Sequence, residues 1–233
     1  MYRKSKKEEF YTRRAKEEGY PARSVYKLKE IDDKYKIFKQ GDRVLDLGCA
    51  PGSWMLYIAQ KIGKKGEVVG VDTDDLKIVK EENMIFIQKD VAAFLKGIKV
   101  LRAKRAGSSL RAKRGIKVLR AKRAGSYLKV EKLTGSQKQF DVIVSDLAPK
   151  TTGIKSADAI NSIVLADKAL AIAKLTLKHG GDFVCKIFEG ELSDRFFKEV
   201  KKNFKFIKRF RPKAVSKESR EIYIIGMGFI KHA

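Results

Sequence analysis

The sequence predicts a doubly wound α/β domain with a mostly parallel seven-stranded sheet and an antiparallel last strand. Short apolar runs rich in valine and isoleucine are typical of buried strands. They lie at 43–48, 67–72, 85–90, 141–146, 182–188, 204–212 and 221–230. Helical patterns separate most of them, which indicates parallel strands joined by right-handed crossovers. The last two runs have no helix between them, so we expect an antiparallel pair at one edge.

Helices are predicted before the first strand and between most of the later ones. They lie near 24–35, 54–63, 74–82, 157–178 and 192–202, and Ser193 with Asp194 offers a start for the last. The chain has 233 residues, 43% of them hydrophobic, which is enough to bury a substantial core. We expect one domain over 1–233, with a basic N-terminal extension at 1–20 and a basic repeat insertion at about 96–139.

The chain is strongly basic. It has 53 lysines and arginines against 28 acidic residues, a net charge of +25. Such an excess attracts polyanions, of which nucleic acid is the first candidate. Near the N-terminus, Phe10, Tyr11 and Tyr20 are interleaved with basic residues. That segment is expected either to bind a nucleic-acid backbone and its bases or to be a solvated end.

Cysteine usage and hydropathy favour a cytoplasmic protein. Cys49 and Cys185 lie inside apolar runs, as reduced buried thiols do. No apolar run approaches the about 20 residues of a membrane span, and no apolar segment follows the first charges as in a signal peptide. Two cysteines and two histidines do not make a zinc site, so we expect neither a metal nor a membrane partner.

A basic repeat interrupts the alternation of strands and helices. The stretch GIKVLRAKRAGS occurs at 97–108 and again at 115–126, and LRAKR occurs three times with a period of nine. That period puts successive leucines on opposite faces of a helix and of a strand alike, and the glycines interrupt any helix. We therefore expect the repeat to add little to the core. Thirteen lysines and arginines between 96 and 129 make it either a solvated loop without a role or a flexible arm that contacts phosphates.

The first candidate site is the stretch DLGCAPGSW at 46–54, directly after the first strand. Glycines there let the backbone approach a ligand at the carboxyl edge of a parallel sheet. Alanine and proline at positions 50 and 51 exclude the dinucleotide fingerprint GxGxxG, and no Gly-Lys-Ser/Thr follows, which excludes a phosphate loop. The candidate ligand-binding residues are Asp46, Gly48, Pro51, Gly52 and Trp54.

Two further acids end the next two strands. Asp72 follows the second strand, where a carboxylate can accept hydrogen bonds from ribose hydroxyls. Asp90 ends the third strand, near where an adenine would lie. Three acids at consecutive strand ends, with a glycine turn, suit a nucleoside that carries a cationic group.

Four charged residues near strand or helix ends form the second candidate site: Lys27, Asp146, Lys186 and Glu221. Lys186 lies inside an otherwise apolar strand, where a lysine either reaches toward an edge or is held by acids. Asp146 ends the fourth strand beside the glycine turn. In a doubly wound sheet this is the crevice where ligands bind.

Together these stretches resemble the FtsJ/RrmJ family of S-adenosylmethionine-dependent RNA 2′-O-ribose methyltransferases. The matching stretches follow the family's order and cover nearly the whole chain outside 96–139: SVYKL, VLDLGCAPGSW, VDTDDL, SDLAPKTTG, CKIFEG and SREIYIIG. The resemblance implies a Rossmann-like methyltransferase fold and a Lys-Asp-Lys-Glu tetrad at Lys27, Asp146, Lys186 and Glu221. It also implies cofactor contacts at Gly52, Trp54, Asp72, Asp90 and Asp146. The sequence departs from the family's pattern in the long segment between Asp90 and Asp146, which the repeat occupies.

The chemistry of the tetrad agrees with this activity. A ribose 2′-hydroxyl must attack the methyl carbon of a sulfonium in line, so its positioning matters. A lysine accepts the hydroxyl proton only in its neutral form, which burial and a second lysine favour and which neighbouring carboxylates oppose. We expect Lys186 to accept the proton or orient the hydroxyl, with Asp146 and Lys27 aligning it and Glu221 supporting them.

The leading hypothesis is therefore a monomeric enzyme that uses S-adenosyl-L-methionine to methylate RNA, with a uridine of large-subunit ribosomal RNA as the first candidate. A transfer-RNA 2′-O-methyltransferase of the same family is the nearest alternative, and the small chain disfavours a cap methyltransferase. A non-catalytic RNA-binding protein on the same fold is disfavoured by the intact tetrad. A nicotinamide-dependent oxidoreductase is disfavoured by the missing third glycine of its fingerprint.

Overall fold

The computed structural model describes residues 6–105, 139–216 and 218–230. The second copy of the basic repeat, at 115–126, lies outside the described residues. The helices of the described part are α1 (Lys6–Glu17), α2 (Val25–Tyr35), α3 (Ser53–Ile62), α4 (Val91–Arg105), α5 (Lys155–Thr176) and α6 (Ser193–Lys201). The strands are β1 (Arg43–Leu47), β2 (Glu67–Asp72), β3 (Met84–Gln88), β4 (Phe140–Ser145), β5 (Leu177–Phe188), β6 (Phe204–Phe210) and β7 (Glu221–Phe229).

All seven strands form one sheet in the order β3-β2-β1-β4-β5-β7-β6. Strands β1 to β5 pair in parallel, and β7 runs antiparallel to both of its neighbours, β5 and β6. The predicted α/β fold is therefore confirmed, including the antiparallel last strand. Because β7 inserts between β5 and β6, the final strand lies directly beside the one that carries Lys186.

The sheet is buried on both faces. Neighbouring residues of β1 show the period of two: Val44 belongs to an apolar cluster with α2 and α3, and Leu45 to a second cluster with α4, α5 and α6. Parallel strands covered on both sides need apolar side chains at nearly every position. This explains the continuous apolar runs of the sequence. No helix in the described part of the chain has the length and apolar character that crossing a bilayer requires.

The predicted helix at 74–82 is wrong, because these described residues form an irregular connection between β2 and β3. Their burial alternates: Leu76 and Ile78 are partly buried, whereas Lys77 and Val79 are exposed. That period of two is typical of extended chain, and the segment lacks the apolar stripe that would hold a helix on the sheet. The backbone N–H of Lys77 instead donates to the Pro51 carbonyl at 2.9 Å, which lays the segment over the glycine turn.

The expectation that the repeat adds little to the core is wrong at its beginning. Helix α4 runs through Gly97 to Arg105, and Ile98 is buried in the same apolar cluster as Phe94. Ile98, near the start of the first repeat copy, therefore has an apolar surface to pack against, which overrides the helix-weakening effect of Gly97. Packing of this kind cannot be deduced from the repeat period alone.

Part of the basic N-terminal extension is a helix, α1, that lies against α2. Its Glu8 is buried and accepts a hydrogen bond from Arg23 at 2.5 Å. The Tyr11 ring lies 5.1 Å from that of Tyr26 on α2. These contacts attach α1 to the helix that carries Lys27.

Candidate active site

The candidate site lies at the carboxyl ends of β1 and β4, where the strand order reverses. Backbone hydrogen bonds hold these strand ends: Asp146 after β4 donates to Leu47 of β1 at 3.1 Å, and Gly48 after β1 donates to Val71 of β2 at 2.9 Å. Gly48 has a φ of +81°, and a Cβ there would lie 3.0 Å from Leu147. A side chain at this position would therefore be strained and would press on the chain beside Asp146.

The glycine turn forms the beginning of α3. Gly52 has a φ of +113°, and its carbonyl accepts the first helical hydrogen bond from Leu56 at 2.9 Å. A Cβ on Gly52 would lie 2.8 Å from the Ile78 side chain, so the segment that crosses the turn requires glycine. Trp54 is buried in the first turn of α3 and donates its indole N–H to the Ser24 carbonyl at 2.9 Å.

The acids at the ends of β2 and β3 each hold backbone N–H groups. Asp72 accepts from Ala50 at 2.8 Å and from Asp74 at 3.0 Å. Asp90 accepts from Ala92 and Ala93 at 2.9 and 3.0 Å, which makes it the cap of α4. Both side chains are partly or fully exposed, so their remaining acceptor capacity faces the open edge of the sheet.

Asp46 is fully buried in β1, and neither carboxylate oxygen has a hydrogen-bond partner among the described residues. Burial, with the charges of Asp146 and Asp72, raises the pKa of Asp46 well above its usual value. A buried acceptor without a donor is costly to keep in a folded protein. The folded protein therefore favours the neutral form of Asp46, which lies directly before the glycine turn.

Lys186 and Asp146 form a largely buried ion pair. The Lys186 ammonium lies 2.9 Å from Asp146 Oδ1 and donates to the Asp146 backbone carbonyl at 2.6 Å. The Lys186 residue is only 7% exposed. Burial opposes ionisation of Asp146, but the charges of Lys186 and Lys27 outweigh it and hold the pKa of Asp146 below its usual value. Asp146 is therefore a carboxylate at neutral pH.

Lys27 and Glu221 form a second ion pair beside the first, with the Lys27 ammonium 2.7 Å from Glu221 Oε1 and 2.9 Å from Oε2. Helix α2 carries Lys27, and one turn later its Glu30 accepts from the backbone N–H groups of Lys213 and Ala214 at 2.6 and 2.9 Å. The chain after 214 leads directly into β7. Helix α2 therefore fixes both the lysine and the approach to its partner.

Tyr223 connects the two ion pairs, and sequence reasoning missed it. Its hydroxyl lies 2.9 Å from Asp146 Oδ1 and 2.8 Å from Glu221 Oε1. The signal that could have found it is the strand period, since Tyr223 follows Glu221 by two positions and shares its face of β7. It is also directly opposite Lys186 in the β5–β7 register.

The structure brings the four predicted tetrad residues together and places the predicted cofactor residues around the same strand ends. Two ammonium and two carboxylate groups in one largely buried cluster can orient a hydroxyl and exchange its proton. Within the described residues no group of histidine, cysteine and acidic side chains is arranged to hold a metal ion.

Comparison with known proteins decides the family. The model of the FtsJ-like methyltransferase family matches residues 20–229. The chain belongs to this family. The resemblance stated from the sequence is thereby confirmed, and the FtsJ-like chain is a methyltransferase.

Relatives of the FtsJ-like chain span almost its full length. A protein of Desulfatibacillum aliphaticivorans named ribosomal RNA large subunit methyltransferase E is 41% identical over 216 residues, 93% of this chain and 88% of the relative. A protein of Syntrophobacter fumaroxidans with the same name is 38% identical over 217 residues, 93% of each chain. A crystal structure from Plasmodium falciparum described as a ribosomal RNA methyltransferase has a TM-score of 0.69 and 25% identity, and covers 91% of this chain and 100% of that one.

Proposed function

We propose that the chain transfers a methyl group from S-adenosyl-L-methionine to a ribose 2′-hydroxyl of large-subunit ribosomal RNA, with a uridine as the first candidate. The observation that supports this best is the buried cluster of Lys186, Asp146, Lys27 and Glu221 at the strand-order reversal. Its hydrogen bonds suit a hydroxyl nucleophile that must lose a proton. The names of the relatives support the choice of RNA.

In this proposal each tetrad residue has a separate task. Neutral Lys186 accepts the proton of the 2′-hydroxyl as the oxygen attacks, and Asp146 holds the ammonium that forms. Lys27, held by Glu221, orients the hydroxyl oxygen from the other side. Since the pairs are fixed by short hydrogen bonds before substrate arrives, little reorganisation accompanies the reaction.

The residues at the strand ends suit the cofactor. S-adenosyl-L-methionine, when bound, supplies an activated methyl group on a cationic sulfonium. The partly exposed carboxylate of Asp72 would favour a cation nearby, and Asp72 and Asp90 retain acceptor capacity for ribose and adenine groups. The tightly packed Gly48 and Gly52, with Pro51 and Trp54, shape the turn over which the ligand would lie.

The RNA partner is supported by charge. The net charge of +25 attracts a polyanion, and a monomer that works in the cytoplasm with this charge would meet ribosomal RNA in quantity. Transfer RNA carries the same backbone charge, so charge alone favours neither RNA.

The test is transfer of an isotopically labelled methyl group from S-adenosyl-L-methionine to purified RNA. Large ribosomal subunits, free large-subunit ribosomal RNA and transfer RNA are compared, and 2′-O-methyl positions are mapped in each. We expect one labelled ribose in the large-subunit RNA, and no label with Lys186→Met. Label on a base, or on transfer RNA alone, would contradict the proposal. A melting-temperature shift with NAD but not with S-adenosyl-L-methionine would overturn the cofactor.

A further inference from the structure

Tyr223 lies between two ion pairs. Among the described residues, no direct hydrogen bond joins one of these pairs to the other. One carboxylate it contacts, Asp146, holds Lys186, and the other, Glu221, holds Lys27. The hydroxyl therefore forms the bridge between the group that would accept a proton and the group that would orient the oxygen.

The tyrosine has little freedom to leave this position. It is fully buried, and its ring centroid lies 6.0 Å from that of Trp54. Its backbone is paired with Lys186 across the β5–β7 ladder. A rigid aromatic ring held at both its face and its backbone fixes the hydroxyl against the two carboxylates.

The hydroxyl carries a single proton for two acceptors. It can donate to Asp146 or to Glu221, but not to both at once. Donation to Asp146 spreads the negative charge of that carboxylate and weakens its hold on the Lys186 ammonium. Donation to Glu221 leaves Asp146 with its full charge and strengthens that hold.

We propose that Tyr223 is a positioning residue that joins the two ion pairs into one network and sets how firmly Asp146 holds the Lys186 ammonium. The proposal rests on the proposed function, in which Lys186 accepts the ribose proton. Atoms balance without the tyrosine changing state: the proton passes from the 2′-oxygen to the Lys186 amine and later to solvent, and Tyr223 keeps its own.

The charged surroundings keep the tyrosine in its donor form. Burial and the charges of Asp146 and Glu221 raise the pKa of Tyr223 well above its usual value. The charged groups that face it come from four elements or their ends: Lys27 of α2, Asp146 after β4, Lys186 of β5 and Glu221 of β7. Asp46 of β1 adds a further carboxylate near Asp146. In these surroundings Tyr223 donates a hydrogen bond and does not act as a base.

The test is the pH profile of single-turnover methyl transfer by Tyr223→Phe. The variant keeps the ring and removes the donor, so both carboxylates hold their lysines more firmly. We expect the rising limb of the profile to move to higher pH and the rate at neutral pH to fall about tenfold, which corresponds to one pH unit. Affinities for S-adenosyl-L-methionine and RNA should change by less than about threefold.

A matched control separates this effect from lost packing. Tyr57→Phe removes the hydroxyl of another buried tyrosine, which donates to Asp32 at 2.7 Å outside the site. It should lower the melting temperature to a similar extent and leave the pH profile in place. Equal profiles for wild type, Tyr223→Phe and Tyr57→Phe would overturn the proposal.

A second variant tests the opposite direction and preserves the fold. Incorporation of 3-fluorotyrosine at position 223 makes the phenol a stronger donor with almost no change in size. The rising limb should then move to lower pH. If it stays in place or moves with that of Tyr223→Phe, the hydroxyl does not control the network.

The Lys186 amine can also be titrated directly by NMR, without RNA and without turnover. The pH at the midpoint of this titration should rise in Tyr223→Phe and fall in the protein with 3-fluorotyrosine at position 223. This readout distinguishes the two proposals, because a wild-type protein that fails to methylate RNA overturns the function, whereas unchanged midpoints overturn the role of Tyr223.

Discussion

Lys186 is the residue on which the proposed chemistry depends most. Lys186→Met keeps the volume of the side chain and removes its charge. It should abolish methyl transfer and leave S-adenosyl-L-methionine affinity within a few-fold. The variant should also lose stability, by at most about 5 kcal/mol, because the largely buried Asp146 loses its close cation. Single-turnover transfer, calorimetric cofactor binding and urea unfolding measure the three effects.

Lys178 provides the matched control on the same strand. It pairs with Asp141 at 2.6 Å, but its side chain is 45% exposed. Lys178→Met should cost less than about 1 kcal/mol and leave transfer unchanged. If Lys186→Met transfers methyl groups at the control's rate, Lys186 has no part in the reaction.

Asp46→Asn should stabilise the protein, and the gain should depend on pH. Because the pKa of Asp46 is raised in the folded protein, Asp46 contributes to the free energy of unfolding below the usual aspartate pKa. This contribution is lost as pH rises through the pKa of the folded protein. Asparagine does not titrate. The variant should therefore gain about 1–3 kcal/mol at pH 8, and the gain should shrink toward pH 5.

Urea unfolding at several pH values measures this difference. Asp33→Asn, an exposed carboxylate on α2, should stay within about 0.5 kcal/mol of the wild type throughout. A gain from Asp46→Asn that is the same at pH 5 and pH 8 would mean that Asp46 ionises in the folded protein as it does in the unfolded chain.

The positions of individual charges could be read from the sequence, but their partners could not. Lys186 is visible as a lysine in an apolar run, and Glu221 as an acid at a strand start. Their pairing depends on the β5–β7 register, which sets Lys186 opposite Tyr223. Register across an antiparallel pair is decided by packing over the whole strand, so the strand period can single out Tyr223 but only the structure shows that it contacts Asp146.

Helix α2, in the N-terminal part of the chain, contacts the connection between β6 and β7 in the C-terminal part. Its Glu30 holds the N–H groups of Lys213 and Ala214. Glu30→Ala should release the connection that leads into β7, and amide exchange at Lys213 and Ala214 should accelerate at least about tenfold. Methyl transfer should fall several-fold because Glu221 loses its fixed approach to Lys27.

Glu30→Gln is the conservative control, since its amide oxygen can still accept one of the two hydrogen bonds. Its amide exchange should lie between those of the wild type and Glu30→Ala. Unchanged exchange at both positions in Glu30→Ala would show that the connection is held by other contacts.

At the level of elements, strands were easier to predict than helices. Buried parallel strands appear in the sequence as continuous apolar runs. The conformation of the 74–82 segment and of α4 instead depends on the residues against which they pack. Ile78 packs on the glycine turn at Gly52, and Ile98 enters the core beside Phe94. In both cases the tertiary surface outweighs local propensity.

For the whole molecule, an experiment can test whether the positive charges of residues 106–138 contribute to RNA binding. The segment has ten lysines and arginines against one glutamate. Replacing it with a short Gly/Ser linker leaves α4 intact, including the buried Ile98, and should preserve fold and cofactor binding. If a third of its charges contact phosphate, the slope of log K against log salt should fall by about 2–3 units.

The measurement is the RNA-binding constant at increasing salt concentrations, for the full chain and for the variant with the Gly/Ser linker. The loss should be similar for unrelated RNA sequences, because phosphate contacts position without specifying. Parallel lines for the two proteins would show that the segment does not contact the RNA backbone.

We expect the place of β7 to determine when the enzyme becomes active during its synthesis. Lys27 and Glu221 are separated by 194 positions, and β7 must insert between β5 and β6 to bring them together. The N-terminal part of a chain leaves the ribosome first, so strands β1 to β4 can pair before Glu221 and Tyr223 have been made. A nascent chain at that stage has the glycine turn but lacks the partner of Lys27. We therefore expect methyl transfer to begin only after the last strand has been translated and inserted.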